Sequence, residues 1–329
     1  MVSVVGARTE NVPSDDEGFL QVDFVRVGGP PSHGIPYWVF LFKADASLGG
    51  GPSAFVRGHL DGFILPRRDG YMSQTVLITG ASSGIGLELA RLFAVDGYAL
   101  VLVSRDARKL DDVAAELRTR FSVSVFVMPV DLSKPAGPAK VALFLKKKRI
   151  AVDVLVNNAG VGLHGAFEKT DWQRESDMIQ LNVASLVELT KRLLPDLVAR
   201  RGKILNVAST AAFQPGPYMS VYYASKAFVL SFSEALHEEL LEKVSVTALC
   251  PGPTRTGFTK AARMGRTPLF DSAWVMDAQT VAKAGYSGLK RGKAVVVPGV
   301  VNRLLAESIR FTPRRVVRKL VKRLHPPKD

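Results

Sequence analysis

The sequence has little from which to build a metal centre or a covalent framework. One cysteine, Cys250, stands among 329 residues, which excludes an intrachain disulfide framework and any zinc site built on several cysteines. The histidines are scattered, with no pair at metal-ligand spacing, so we predict no metal site. They are His33, His59, His164, His237 and His325.

Long apolar runs and a secretory leader are also missing. No uninterrupted apolar run reaches the ~18 residues that a membrane-spanning helix needs. The N-terminus has no basic stretch followed by an apolar core, so it does not resemble a secretory signal. We therefore expect a cytoplasmic protein, and the 47% of hydrophobic residues can supply a sizeable core.

Composition divides the chain into three parts. Residues 1–71 contain 17 glycines and prolines and carry six Lys/Arg against eight Asp/Glu, and a regular pattern begins only at Met72. We predict a loop-rich N-terminal extension over 1–71, and hypothesise that Met72 is the biological start. The alternative is a small appendage that folds, with a strand or two in "YWVFLF". Residues 72–300 form one domain, and residues 301–329 a basic C-terminal helix.

From Thr75 onward, short apolar runs alternate with segments of helical spacing. One helix begins after Asp106, a predicted N-cap, and long helices are predicted over residues 171–200 and 222–243. Continuous apolar strands that alternate with helices indicate a parallel sheet covered on both faces. The prediction is an α/β, Rossmann-type, doubly wound sheet of about seven strands. The strands are "TVLIT", "ALVLVS", "VSVFVMPV", "VDVLVNN", "GKILNVAS", "VSVTALCPG" and "AVVVPG".

A glycine-rich turn joins the first strand to the first helix. In "TVLITGASSGIGLELA", Gly80 allows a tight turn, Gly84 lets the backbone approach a pyrophosphate, and Gly86 lets helix and strand pack closely. The N–H groups and the positive end of the helix attract phosphate. The segment predicts a dinucleotide site, which takes in Ser82, Ser83 and Ile85 as well.

The spacing Gly-x3-Gly-x-Gly in "TGASSGIG" resembles the short-chain dehydrogenase/reductase family, classical type, and the later motifs extend the resemblance over residues 73–299. It implies that residues 72–300 are the catalytic domain of an NAD(P)-dependent oxidoreductase. Such an enzyme interconverts a ketone or aldehyde and an alcohol by hydride transfer. The resemblance also implies a homodimer or homotetramer packed through long helices, including residues 222–243.

The end of the second strand selects the cofactor. Ser104 takes the place where this family usually has its NAD-selecting acid, and Arg105 follows it in "LVLVSRDARKL". Because a guanidinium matches the geometry of a phosphate, we predict NADP(H) in preference to NAD(H), with Ser82 also in contact. Ser83 departs from NADP-using relatives, which often have a basic residue before the middle glycine.

Other cofactor contacts follow from the resemblance alone. "VDL" resembles the adenine-contacting turn, "NNAG" the segment under the adenine-side ribose, and "CPGPTRTGF" the segment beside the nicotinamide. The residues implied are Asp131, Leu132, Asn158, Ala159, Gly160, Pro251, Gly252, Thr254 and Thr256.

Two adjacent tyrosines precede a lysine in "VYYASKAF". Tyr222 and Lys226 are four residues apart and share a helical face, whereas Tyr223 lies about 100° around and is expected to face elsewhere. A neighbouring ammonium favours phenolate, so we expect Lys226 to lower the pKa of Tyr222 toward a value useful for proton transfer. Tyr222 is therefore predicted as the general acid/base, and the Y-x3-K motif of the family falls on the same pair.

Two more catalytic residues are assigned. Ser209 ends the strand "GKILNVAS", where strand ends line the ligand crevice, and is predicted to polarise the substrate oxygen. Asn182 in "MIQLNVAS" matches the helix asparagine of the family, which supports a proton-relaying water through Lys226. Residues 257–276 are interpreted as a mobile substrate lid.

The basic C-terminal helix leaves several functions open. Its apolar residues at helical spacing suit the rim of the substrate site, a neighbouring subunit or an anionic membrane surface. Nucleic acid is not expected, because no recognition motif accompanies the charge. Alternatives to a carbonyl reductase on small substrates are a membrane-surface reductase of lipid-like acyl or sterol-type ketones, and a non-catalytic NADP-binding sensor.

Overall fold

We describe the protein from a computed structural model. It describes the backbone of three strands within the first 43 residues, and residues 74–258, 262 and 275–324 in full. The chain divides into two compact units, Met1–Arg67 and Arg68–Asp329. The predicted lid falls mostly on residues 259–261 and 263–274, which lie outside the described residues.

The first unit contains an antiparallel sheet of three strands in the order β1-β2-β3. They are β1 (Ser3–Pro13), β2 (Phe19–Gly28) and β3 (Tyr37–Lys43). The segment "YWVFLF" lies in β3, and two further strands precede it. Whether residues 1–71 belong to the native protein stays a prediction.

The second unit is built on a seven-stranded parallel sheet, in the order β12-β9-β8-β7-β4-β5-β6. The sheet strands are β4 (Thr75–Thr79), β5 (Ala99–Ser104), β6 (Val125–Pro129), β7 (Val154–Asn157), β8 (Lys203–Val207), β9 (Ser245–Leu249) and β12 (Val295–Val296). A separate short pair joins β10 (Thr254–Arg255) to β11 (Met276–Asp277). This arrangement confirms the predicted doubly wound sheet.

Helices cover both faces of this sheet. They are α1 (Gly84–Val95), α2 (Ala107–Phe121), α3 (Gly137–Lys148), α4 (Trp172–Ile179), α5 (Ser185–Ala199), α6 (Ser220–Glu239), α7 (Ala278–Lys290), α8 (Val300–Ser308) and α9 (Arg314–Leu324). Short 3₁₀ turns lie at Phe167–Lys169, Thr210–Phe213 and Ile309–Phe311. Asp106 caps α2 by accepting a hydrogen bond from the Lys109 backbone N–H at 3.2 Å, which confirms that prediction.

The core lies in two layers because successive strand residues point to opposite faces. Val76 and Ile78 of β4 pack in the layer beneath α1, α2 and α7, whereas Leu77 packs in the layer beneath α3 and α5. Strand order reverses between β4 and β7. In such sheets, ligands bind in the crevice outside the carboxyl ends of the strands at this point.

Two predicted elements differ in form. The one basic helix expected over residues 301–329 is instead α8, a 3₁₀ turn and α9, and residues 325–329 lie outside the described residues. The single helix expected over residues 171–200 is instead α4, a π-helical turn over Gln180–Ala184, and α5. A helical turn with one extra residue is common at functional sites, and Asn182 lies in this one. No described helix combines the length and the apolar character that crossing a membrane requires.

Candidate active site

A cavity of about 720 Å³ opens at the carboxyl ends of the parallel strands. It is lined by all of the predicted catalytic and cofactor-binding residues except two, Gly86 and Asn182. Those two lie behind the cavity wall and shape it. The lining residues are Gly80, Ser82, Ser83, Gly84, Ile85, Arg105, Asp131, Leu132, Asn158, Ala159, Gly160, Ser209, Tyr222, Lys226, Pro251, Gly252, Thr254 and Thr256.

The glycine turn needs its glycines for backbone shape and for close approach. Gly80 and Gly84 have φ angles of +66° and +58°, a region that residues with a side chain rarely adopt. A Cβ on Gly86 would stand 2.3 Å from the Gly80 carbonyl oxygen, so only glycine fits there. Ser83 is the N-cap residue of α1, and within the described residues its side chain makes no capping hydrogen bond. The N–H groups of the first helical turn thus face the cavity without a side-chain cap.

A threonine that sequence reasoning missed fixes the neighbouring loop. The Thr79 hydroxyl accepts hydrogen bonds from the backbone N–H groups of Asn158 and Ala159, at 3.0 and 2.9 Å. In return, the Asn158 side chain donates to the Thr79 and Gly80 carbonyls, at 2.9 and 3.2 Å. These bonds tie the ends of β4 and β7 together at the switch point, which sets the floor of the cavity.

A buried polar chain, also missed, runs from β7 to α6. The Asn157 amide donates to Asn206 Oδ1 at 2.9 Å, and the Asn206 amide donates to Ser233 Oγ at 2.9 Å. All three residues are buried, and buried polar groups that are fully hydrogen-bonded specify one arrangement of the elements that carry them. The chain therefore fixes α6, the helix of Tyr222, against the sheet.

Hydroxyl and cationic groups gather at one end of the cavity. The Ser82 and Ser104 hydroxyls are 2.9 Å apart and hydrogen-bonded to each other, and Arg105 follows at the end of β5. Lys109, in the first turn of α2, also lines the cavity and pairs with Asp106 at 3.1 Å. Sequence reasoning missed Lys109, because which side chains of α2 face the cavity depends on the rotation of the helix about its own axis.

The Asn182 side chain joins three segments by hydrogen bonds. Its Oδ1 accepts from the Val161 N–H at 3.0 Å, and its Nδ2 donates to the Val161 carbonyl and to Ser225 Oγ, at 2.9 and 3.0 Å. A Cβ on Gly160 would meet both Asn182 Oδ1 and Lys226 Nζ at 3.3 Å. The asparagine therefore holds the loop after β7 against α6, close to the lysine amine.

Both tyrosines of α6 are buried, and both border the cavity. Their ring centroids lie 6.0 Å apart, and the Tyr222 ring also packs against Phe258 at 5.3 Å. The Tyr223 ring lies over Gly216, where an added Cβ would come within 2.1 Å of it. The expectation that Tyr223 faces away from the site is therefore wrong. The two differ in their relation to Ser209, whose side chain acts to lower the pKa of Tyr222.

Burial dominates the titration of the two central groups. It raises the pKa of Tyr222 to about 12, although the hydrogen bond with Ser209 acts to lower it. It lowers the pKa of Lys226 to about 8, against a small opposing effect of Cys250. The expectation that Lys226 makes Tyr222 more acidic is wrong for these side chains. The lysine amine instead donates to the Val207 carbonyl at 2.7 Å.

The segment after β9 forms the opposite wall. The Thr254 hydroxyl donates to the Gly252 carbonyl at 2.9 Å, and Thr256 Oγ1 accepts from the Phe258 N–H at 3.2 Å. Ser209 Oγ accepts from the Ala211 N–H at 3.1 Å, which fixes the serine at the end of β8. These local hydrogen bonds fix the polar side chains of this wall of the cavity.

The C-terminal helix covers part of the same end. Val317 and Val321 of α9 are buried in one apolar cluster with Met219 and Tyr222, and Leu324 lines the cavity. This placement agrees with the first of the alternatives for the basic helix, the rim of the substrate site. The end of the cavity near Tyr222 is therefore largely apolar.

The arrangement fits a nicotinamide dinucleotide. Glycines without a Cβ cradle the start of α1, hydroxyls and cations lie at the end of β5, and a phenol with a buried amine lies at the far end. The first set suits a pyrophosphate, the second a ribose or its phosphate, and the third a carbonyl or hydroxyl group.

Comparison with known proteins agrees with this geometry. Residues 74–267, more than half of the chain, match the short chain dehydrogenase family model. The serine 3-dehydrogenase of Agrobacterium fabrum is 35% identical over 208 residues, which are 62% of this chain and 81% of that protein. The very-long-chain 3-oxoacyl-CoA reductase of Rattus norvegicus is 29% identical over 301 residues, 85% of this chain and 92% of that protein.

A solved structure extends the likeness to three dimensions. The short-chain dehydrogenase from Sphingobium yanoikuyae in complex with NADPH matches with a TM-score of 0.65 at 36% identity, over 71% of this chain and 92% of that one. The glycine turn, six of the seven strands of the parallel sheet and the paired Tyr222 and Lys226 fall within the matching family region. The chain belongs to the short-chain dehydrogenase/reductase family, classical type, and is an oxidoreductase that acts on CH–OH and C=O groups.

Proposed function

We propose that the protein is an NADP(H)-dependent reductase that converts a ketone or aldehyde into an alcohol, with Tyr222 as the proton donor. One observation carries the proposal: a buried Tyr222 phenol, beside Ser209 and one turn from Lys226, borders the same cavity as Arg105 and the Ser82–Ser104 hydroxyl pair. The residues proposed to catalyse the reaction and those proposed to bind the 2′-phosphate thus line one continuous cavity.

The residues have distinct parts in the reaction. A nicotinamide dinucleotide, when bound, supplies the hydride. Tyr222 stays protonated at neutral pH because burial raises its pKa to about 12, so it holds the proton that a reduced carbonyl oxygen needs. Ser209 polarises the same oxygen, and Lys226 is positioned to hold the nicotinamide ribose. A protonated phenol is the form that can donate this proton during reduction.

The preference for NADP(H) is supported by charge at the end of β5. Ser104 stands where an acid would repel a 2′-phosphate, and both Arg105 and Lys109 border the cavity there. NADPH is also the ligand of the Sphingobium relative. Reduction rates with NADPH and NADH, for wild type and Arg105→Ala, test the preference. Equal efficiency with both cofactors in the wild type would overturn it.

The central experiment compares the two tyrosines. With a panel of ketones and aldehydes and the consumption of NADPH as readout, Tyr222→Phe should lower kcat by about 100-fold or more, since it removes the general acid. Tyr223→Phe is the matched control, because it removes a phenol of the same helix and the same apolar cluster. A fully active Tyr222→Phe enzyme would overturn the mechanism.

A non-catalytic sensor on the same fold is the contrasting hypothesis. The juxtaposed Ser209, Tyr222 and Lys226 argue for turnover, since a pure nucleotide binder needs no buried phenol. Tight NADPH binding without any NADPH oxidation across the carbonyl panel would favour the sensor.

A lipid-like carbonyl is the finer candidate for the substrate. Met219, Phe258 and Leu324 give the Tyr222 end of the cavity an apolar wall, and the Rattus norvegicus relative is named for very-long-chain 3-oxoacyl substrates. In a series of ketones with lengthening alkyl chains, kcat/KM should rise with chain length. A decline from the shortest ketone onward would favour small polar substrates.

Assembly as a homodimer or homotetramer is also part of the proposal. Phe228 on α6 is exposed and stacks on Phe232, with ring centroids 5.8 Å apart, which leaves an apolar patch on the helix expected to form the interface. Sedimentation velocity of wild type and Phe228→Ser tests it. A monomeric wild type would contradict the expectation.

A further inference from the structure

The last two helices, α8 and α9, carry apolar side chains that the rest of the domain leaves exposed. On α9, Val317 and Val321 are buried, whereas Val316, Leu320 and Leu324 repeat the same four-residue spacing and stay partly exposed. Residues four apart share a helical face, so α9 carries two apolar stripes side by side. The domain buries only the stripe that contains Val317 and Val321.

The preceding segment also exposes apolar side chains. Half of the exposed large hydrophobic side chains of the described residues fall between residues 300 and 324, and Phe311 is 87% exposed. Monomeric soluble proteins rarely expose apolar side chains in such concentration unless they bind something. We name this set the outer face: Val300, Val301, Leu304, Leu305, Phe311, Val316, Leu320 and Leu324.

The outer face is held firmly by inward-pointing residues. Asn302 of α8 is buried, and its amide donates to the Pro298 carbonyl at 3.0 Å. A Cβ on Gly252 would come within 2.4 Å of the Asn302 side chain, so α8 lies directly on the segment that follows β9. Packing of the domain therefore fixes both helices and does not require the apolar side chains that point outward.

Positive charge surrounds these apolar residues. Residues 300–324 contain eight Lys/Arg and one acid, Glu307, which lies 3.7 Å from Arg310. Among the residues that the structure describes, none of the six Lys/Arg of α9 forms an ion pair. The basic residues are Arg303, Arg310, Arg314, Arg315, Arg318, Lys319, Lys322 and Arg323.

We propose that the outer face docks on an anionic lipid bilayer, with α8 and α9 lying in the plane of the interface. Apolar side chains flanked by Lys and Arg suit the boundary between acyl chains and negatively charged headgroups. A second copy of the chain would bring two positive faces together, which like-charge repulsion opposes. Nucleic acid would leave the apolar side chains without a partner.

The place of Leu324 links docking to the site. This residue belongs to the outer face and also lines the cavity that contains Tyr222. A docked enzyme would thus have one wall of its cavity at the bilayer surface. This step, unlike docking itself, rests on the proposed function: it gives a lipid-like carbonyl a short path to Tyr222.

Flotation of the full chain with lipid vesicles tests docking without any activity assay. One set of vesicles contains phosphatidylcholine alone, and the other also contains phosphatidylglycerol. Wild type should float with the anionic set only. Two double variants should each bind at least about tenfold more weakly. Arg315→Glu with Arg318→Glu removes basic residues that each contribute about fivefold near an anionic surface. Leu304→Ser with Phe311→Ser removes apolar area, with which interfacial binding scales.

A matched control places the same kinds of change on α3. Leu143→Ser with Lys147→Glu alters an exposed leucine and an exposed lysine, and should float like wild type. Thermal melting and NADPH binding verify that each variant is folded.

Two outcomes overturn the proposal: absence of wild type from the anionic vesicles, and equal loss of vesicle binding in the control variant. Loss of a dimer in the Leu304→Ser, Phe311→Ser variant without vesicle binding by wild type would assign the face to a second copy instead. NADPH oxidation without flotation would overturn docking while leaving the proposed function intact.

Discussion

At the scale of single residues, Tyr222 and Lys226 show a limit of prediction from spacing. Spacing predicted that the two side chains lie together, but the direction predicted for the pKa of Tyr222 was wrong. Spacing four apart placed Tyr222 and Lys226 on one face, and they do border one cavity. Sequence could not reveal that both groups are withdrawn from water or that the amine binds the Val207 carbonyl. Desolvation therefore outweighs the mutual attraction, and it disfavours the charged form of each group.

The lowered pKa of Lys226 predicts how stability depends on pH. Between the folded pKa of about 8 and the ordinary value of 10.5, the unfolded chain binds a proton that the folded chain has released, so stability rises with pH. Relative to Lys226→Met, wild type should gain at most about 3 kcal/mol of unfolding free energy over this window. Urea titrations at pH 7 to 10.5 measure it. Lys243→Met, at an exposed lysine, serves as the control, and parallel curves for wild type and Lys226→Met would contradict the account.

Arg105 and Lys109 illustrate a second limit at the same scale. Arg105 was predicted from its place after the second strand, whereas Lys109 depends on the rotation of α2 about its own axis, which composition does not fix. The structure puts both beside the cavity and Arg108 outside it. Lys109, four residues after Arg105, thus supplies the second cation that the sequence lacks at Ser83.

Lys109→Gln should weaken NADPH binding about fivefold, since an exposed ammonium beside a phosphate contributes about 1 kcal/mol. NADH binding should stay unchanged, because NADH has no 2′-phosphate. Calorimetric titration of both cofactors measures the difference. Arg108→Gln removes the same charge from the next residue and should leave both affinities unchanged. Equal weakening in the two variants would reduce the role of Lys109 to long-range attraction.

At the scale of elements, alternation of apolar runs and helical segments was enough to predict the seven strands and the helices between them. The interruption of the helix over residues 171–200 was not predictable, because its cause is tertiary. The π-helical turn directs Asn182 at both the N–H and the carbonyl of Val161, a partner 21 residues earlier. The helical periodicity of the sequence does not reveal a hydrogen-bond partner so far away in the chain.

Asn182→Ala should destabilise the protein by about 2 to 4 kcal/mol, since it removes a buried side chain and leaves the N–H and the carbonyl of the half-buried Val161 without this partner. It should also lower kcat more than it raises KM, because the loop beside Lys226 loses the hydrogen bonds from Asn182 that hold it in place. Gln180→Ala, in the same turn but less buried, should cost under about 1 kcal/mol. Urea denaturation and steady-state kinetics provide the two readouts, and equal effects of both variants would argue against this role of Asn182.

At the scale of the whole molecule, the net charge of +14 and its concentration near the C-terminus predicted a basic amphipathic helix. Sequence left its role open because a helical stripe does not say which side meets the protein. The structure resolves the inner side: Val317 and Val321 join the cluster around Tyr222, one position from the exposed Val316 and Leu320. The two sides of one helix are thus assigned to different tasks.

Matched substitutions separate these tasks. Val317→Ser with Val321→Ser should lower the free energy of unfolding by about 3 kcal/mol or more and reduce kcat/KM, because buried methyl groups are lost beside Tyr222. Val316→Ser with Leu320→Ser changes neighbouring residues of similar size, yet should preserve stability and weaken only vesicle binding. Chemical denaturation, NADPH consumption and flotation of wild type and the two double variants give the comparison. If both double variants lost stability alike, α9 would be buried on both sides, and its outer side could not meet a bilayer.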